Sequence, residues 1–94
     1  MNPQTLTVFR RYRDNEIIAL FPYEPHDRTG VHCVCYVHHG QHGAADPATV
    51  IRQTKPAQPH EYEMLERELE RIGYHLNIRQ RIPADACRVR RGKV

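Results

Sequence analysis

The chain has no tryptophan, only two phenylalanines and two methionines, and no apolar run longer than the five residues Ile17 to Phe21. A helix that crosses a bilayer needs about 20 apolar residues, so no membrane span is expected. The first residues, MNPQTLTVF, lack a basic segment followed by an apolar one, so no export signal is expected either. Cysteine is scarce, with three residues, so at least one stays outside any intrachain pairing. Cys33 and Cys35 lie two apart on an expected strand, which sets their Cα atoms about 6.5–7 Å apart, at the limit for a disulfide. Reduced thiols and a cytoplasmic location are expected. Repeats, low-complexity segments and dividing linkers are also lacking, which leaves one small domain with a thin core.

What the chain does have is unevenly placed charge. Residues 61 to 71 hold five glutamates against two arginines, a balance of −3, so the remainder of a chain with net charge +3 carries +6. Most of that excess sits in Arg10, Arg11 and Arg13 near one end, and from Arg79 to Lys93 near the other. An acidic surface opposed to a basic one bears on partners rather than on fold.

Residues 5–13 and 16–21 are rich in β-branched, aromatic and aliphatic residues, and Asp14–Asn15 between them tolerates the positive φ of a tight turn, so a hairpin is expected. Its second strand is apolar on both faces and reads as central, ending at Pro22. From 31 to 38 the odd positions Val31, Cys33, Cys35 and Val37 form an apolar face, while the even ones are mostly polar. Residues 40–47 read as a turn, and 49–54 (TVIRQT) as an optional fourth strand. Tyr62, Leu65, Leu69 and Ile72 share one helical face, with Pro59 at the entrance and Gly73 placed to close the helix. Tyr74, Leu76 and Ile78 then alternate with His75, Asn77 and Arg79 as a last strand. The expected fold is α+β, an antiparallel sheet of 4–5 strands (β-β-β-(β)-α-β, order 4-3-2-1-5) with one helix packed on one face. The domain covers 1–83, and the basic tail 84–94, which lacks periodicity, is expected to be disordered.

The stretch HCVCYVHHGQHG, residues 32–43, holds two of the three cysteines and four of the seven histidines. Structural zinc ligands come in pairs separated by two to four residues, whereas Cys33 and Cys35 have one between them and both point to the core. No metal, cofactor or catalytic residue is expected, and a nucleophilic cysteine lacks an exposed thiol beside an imidazole. The polar face and the turn remain: Tyr36, His38, Gln41 and His42, with Gly40 and Gly43 bracketing a loop whose backbone reads as needing unusual dihedrals. The competing reading is that Gln41 or His42 simply caps the turn. The second candidate surface is basic: Arg79 and Arg81 on one strand face, Arg11 and Arg13 on a neighbouring one, and Arg88, Arg90 and Arg91 in the tail, with Tyr12 and Tyr36 for stacking.

Three motifs, Phe21–Pro22, the His-x-Gly-Gln-His turn from His38 to His42, and the Leu-x-x-Ile-Gly-Tyr helix end from Leu69 to Tyr74, resemble those of a group of small proteins from bacterial genomes, phages and other mobile elements. The similarity covers most of residues 8–82 and leaves the arginine-rich tail outside. It implies a genomic setting rather than a mechanism, and it favours the turn over the cysteines. The expected function is that of a small, non-catalytic binding or accessory protein whose partner is nucleic acid or another protein. The alternative is a metal-binding module or small enzyme using His38 and His42.

Because Leu69 sits at the centre of the helix's apolar stripe, Leu69→Ala should destabilise the fold by about 2–5 kcal/mol in urea melts. A loss below about 0.5 kcal/mol would show that the stripe faces elsewhere.

Overall fold

The computed structural model describes residues 4–37 and 41–94. The fold is α+β. Its elements run β1 (Thr5–Arg11), β2 (Ile17–Pro25), β3 (Cys33–Val37), β4 (Gln41–Ala45), α1 (Pro47–Gln53), β5 (Lys55–Pro56), α2 (Pro59–Arg71), β6 (Leu76–Arg79) and α3 (Ala86–Arg91). The sheet order is β4-β3-β2-β1-β5, with β6 also paired to β1. Asn15 turns the β1–β2 hairpin with φ +70°, and Asp14 accepts a hydrogen bond from the Glu16 N–H. The expected turn chemistry is therefore in place. β2 is central, with its residues Ile18 to Pro22 buried.

Pro22 does not end that strand. The β2–β3 register shifts between Phe21 and Pro25, so an irregularity absorbs the prolines and β2 continues through them. The fourth strand is also displaced from its expected place. β4 occupies Gln41–Ala45, inside what reads as a turn, and TVIRQT lies in α1 and its C-terminal cap. The local reason is Asp46–Pro47: the Asp46 carboxylate accepts from Ala48 N–H and Thr49 Oγ1, and Pro47 takes the first helical turn. A capped helix start outcompetes the β propensity of Thr49, Val50 and Ile51.

The last strand runs parallel to β1, not antiparallel. β5 pairs with Arg10 and Arg11, at the far end of β1. The 13 residues of α2 then carry the chain about 20 Å back across the sheet, so β6 starts opposite Thr5 and must run with β1. The outer edge of β1 is thus shared by two short strands.

Both faces of the sheet are covered, where one was expected to face solvent. On one side Phe9, Ala19, Phe21 and Tyr36 pack with Leu65 and Leu69 of α2. Phe9 stacks on Tyr62 with ring centroids 4.2 Å apart. Glu61 Oε1 closes the start of α2 by accepting from the Gln58 N–H. Gly73, at φ +112°, closes its end, with the Tyr74 N–H bonded to the Leu69 carbonyl. Ile72 departs from the expected stripe: at the C-cap it is 53% exposed. On the opposite side Val8, Ile18, Leu20, Cys33 and Cys35 pack with Ala45 and with Val50 of α1.

α3 completes that second side, and it lies in the tail expected to be disordered. Arg90, 4% exposed, reaches from α3 beneath the loop between β2 and β3. Its Nε donates to the Gly30 carbonyl at 2.7 Å and its Nη1 to the Pro22 carbonyl at 2.8 Å. Tyr23 donates to Asp85 Oδ1, and Lys93 pairs with Glu24. Gly30, at φ +72°, allows the close approach, since a Cβ there would stand 3.0 Å from the Arg91 backbone. A tail without apolar periodicity is therefore anchored by a buried cation.

Arg90→Ala should cost about 2–4 kcal/mol, because it leaves buried carbonyls without donors, and removal of residues 84–94 should lower the melting temperature. An unchanged melting temperature on that truncation would show that α3 adds nothing to the packed domain.

Candidate functional site

The two expected surfaces fare differently. His38 lies outside the described residues. Tyr36, placed by the alternation on a polar face, is 2% exposed. Its hydroxyl donates to Glu68 Oε1 at 2.7 Å, and burial first, then that hydrogen bond, raises its pKa, so it stays a donor. Gln41 is exposed at the start of β4. His42 points to the α2 side: Nε2 lies 2.8 Å from the Tyr74 hydroxyl, and its ring meets Tyr36 edge-on at 4.8 Å. Tyr74 in turn stacks on Phe21 at 5.0 Å. Tyr36 and His42 thus tie β3 and β4 to the end of α2. Gly43 has no positive φ; it sits within β4, where a Cβ would stand 3.6 Å from the Cys35 sulfur. Among the described residues no three His, Cys, Asp or Glu side chains are grouped to hold a metal.

The arginines do not form one basic sheet face, because helices occupy both faces. Arg90 is withdrawn from the surface altogether, its donors spent on backbone carbonyls. Arg79 and Arg88 lie near Tyr23, whose pKa the Asp85 hydrogen bond raises and these two cations oppose. Arg88 also pairs with Asp85 at 3.7 Å. Arg81 and Arg91 are exposed. Arg11 projects to the α2 side, with Nε 2.9 Å from Glu61 Oε2 as an ion pair and Nη1 donating to Asn15 Oδ1. Arg13, beyond the end of β1, is exposed.

Arg11 and Arg13 nevertheless share a site with residues the sequence did not single out. A cleft of about 330 Å³ opens where the end of β1 meets the end of α1, lined by Arg11, Tyr12, Arg13, Arg52, Gln53, Thr54 and Lys55. Four cations line it and no carboxylate does. A wider depression next to it, lined by Tyr12, Arg13, Arg52 and Gln53, adds Asp14 and Glu16.

Each wall is held from behind. Lys55 is set opposite Arg11 by the β1–β5 pairing. Arg10, 7% exposed, donates Nε to Thr54 Oγ1 and Nη2 to the carbonyls of Thr54 and Ile51. Burial lowers the Arg10 pKa, and a guanidinium keeps its charge in proteins. A helix C-terminus carries negative partial charge, and Arg10 neutralises that of α1 just where the cleft lies. Arg52 and Lys55 were hidden in the sequence because 49–54 reads as a strand, which puts Arg52 on a different element in a different direction.

No family model matches the chain, and no curated protein or solved structure matches it.

The cysteines stand apart from both surfaces. Cys33 and Cys35 are buried and Cys87 is exposed. Burial pushes the Cys33 thiol up to about 11 and raises that of Cys35 as well. The attacking species in thiol chemistry is the thiolate, so a thiol reagent at neutral pH should label Cys87 at once and the other two only on unfolding. Fast native-state labelling of Cys33 or Cys35 would contradict their burial.

Proposed function

We propose that this protein is a non-catalytic binding protein that engages the phosphate backbone of nucleic acid through the cleft formed by Arg11, Arg13, Arg52 and Lys55. The observation that carries the reading is the lining itself, four cations converging from β1, the turn that follows it, α1 and β5, with no carboxylate among them. Convergent cations recruit phosphate by displacing its condensed counterions. Part of the attraction of Arg11 is spent on Glu61, so Arg13, Arg52 and Lys55, all exposed, supply most of the field.

The same cleft argues against base reading. Tyr12 is its one aromatic lining residue, and that ring packs partly against the core cluster of Val8 and Ile18. α1 has seven residues and donates its C-terminal end, not a row of side chains suited to a groove. Contacts limited to phosphate position a protein on nucleic acid without specifying a sequence.

Binding of a labelled duplex should therefore be weak, indifferent to sequence and steeply dependent on salt, with a log–log slope of about −0.9 for each phosphate neutralised. Arg52→Ala and Arg13→Ala should each reduce the slope by about one unit. Arg67→Ala, which removes a cation of α2 that is paired with Glu63 and does not line the cleft, should leave it unchanged. Absence of binding at low salt, or equal effects of all three substitutions, would remove this reading.

A further inference from the structure

The outermost strand, β4, pairs only with β3, in an unbroken five-residue register from Val37↔Gln41 to Cys33↔Ala45. Among the described residues nothing bonds to its outer edge. Natural edge strands are guarded by charged side chains, prolines or bulges. At the other side of the sheet such guards are present, with Lys55 and Pro56 in β5 and Arg79 in β6. The sequence of β4, QHGAA, has none of them.

We propose that β4 is the pairing edge for a second copy of this chain, joined antiparallel about a two-fold axis at Gly43. In that register Gln41 and His42 of one copy lie opposite Ala45 and Ala44 of the other. Each long side chain then meets a methyl group on the same face, and Gly43 meets itself. Directly opposed residues of an antiparallel pair share a face, so the steric fit repeats on both sides of the axis, as a two-fold interface requires.

A second feature lies on the same flank. His42 is bonded to Tyr74 and Tyr36 to Glu68, which puts one side of α2 beside β3 and β4. That side carries a shallow depression of Met64, Arg67, Glu68, Arg71 and Ile72. Met64 is 77% and Ile72 53% exposed, unusual for large apolar side chains on a face of an otherwise charged helix. Pairing through β4 would set the two α2 flanks on one side of the extended sheet. Paired strands lie about 4.8 Å apart, so two α2 helices packed over β2 stand about 24 Å apart, and the two depressions flank the seam without meeting across it.

The test is sedimentation equilibrium over a concentration series, with two exposed positions changed separately: Ala44→Lys on the strand and Met64→Glu on the helix. Retained folding is checked by circular dichroism and melting temperature. The wild type should form a dimer, Ala44→Lys should weaken it by about tenfold or more, equivalent to about 1.4 kcal/mol per decade, and Met64→Glu, away from the strand seam, should leave it unchanged. Exchange of the β4 amides should slow as wild-type concentration rises. A wild type that is monomeric at every soluble concentration overturns the proposal. So does a dimer indifferent to Ala44→Lys, since that contact would not run through the strand.

Discussion

Two buried guanidinium groups hold the helices of the second layer to the sheet, and most of the architecture depends on them. Arg90 gathers the carbonyls of Pro22, Gly30 and Val31, and Arg10 those of Ile51 and Thr54. A buried charge is costly unless its donors are satisfied. Here the partners are carbonyls that a broken strand, a tight loop and a helix end would otherwise leave unbonded. The donors and the orphan acceptors answer each other's needs. In a domain of this size, where apolar burial alone stabilises little, a cation with five rigid donors does for a loop what several methyl groups do for a sheet face.

Placement of the cleft follows from the same economy. Because Arg10 and Arg11 project to opposite faces of the sheet, alternate residues of β1 perform different tasks. One neutralises the end of α1, while the other, half-buried and paired with Glu61, lies opposite Lys55 at the cleft. The β1–β5 pairing and the Arg10 hydrogen bonds therefore fix the relative positions of Arg11, Arg52 and Lys55. A cluster of like charges is held in place by the hydrogen bonds of a fifth cation, Arg10, to neutral acceptors behind it, which leaves Arg13, Arg52 and Lys55 exposed in front.

Much of the sheet was legible in the sequence, and the reasons differ by element. The β1–β2 hairpin, the buried Cys33 and Cys35 face of β3, the Leu65 and Leu69 side of α2 and its closure at Gly73 all rest on local signals, and local signals suffice where burial agrees with periodicity; the other face of β3, read as polar, instead buries Tyr36 against α2. β4 was missed because glycine and alanine carry no strand preference; it is a strand because β3 needs a neighbour. α1 was missed because the Asp46–Pro47 cap lies outside the hexapeptide that looks like a strand. α3 has six residues and an arginine as its deepest side chain, and no apolar pattern announces such a helix. Of the cleft, Arg11 and Arg13 were visible as charge. Arg52 and Lys55 became neighbours of theirs only through pairing across more than 40 residues of chain.

The Arg90 contacts also bear on kinetics. They join positions 60 and 68 residues apart, and loops of that length close late because their entropy is lost before any contact repays it. Interactions absent from the folding transition state slow unfolding and leave the folding rate nearly untouched. Arg90 is then a late latch: the same bonds that stabilise the finished molecule set how seldom it opens.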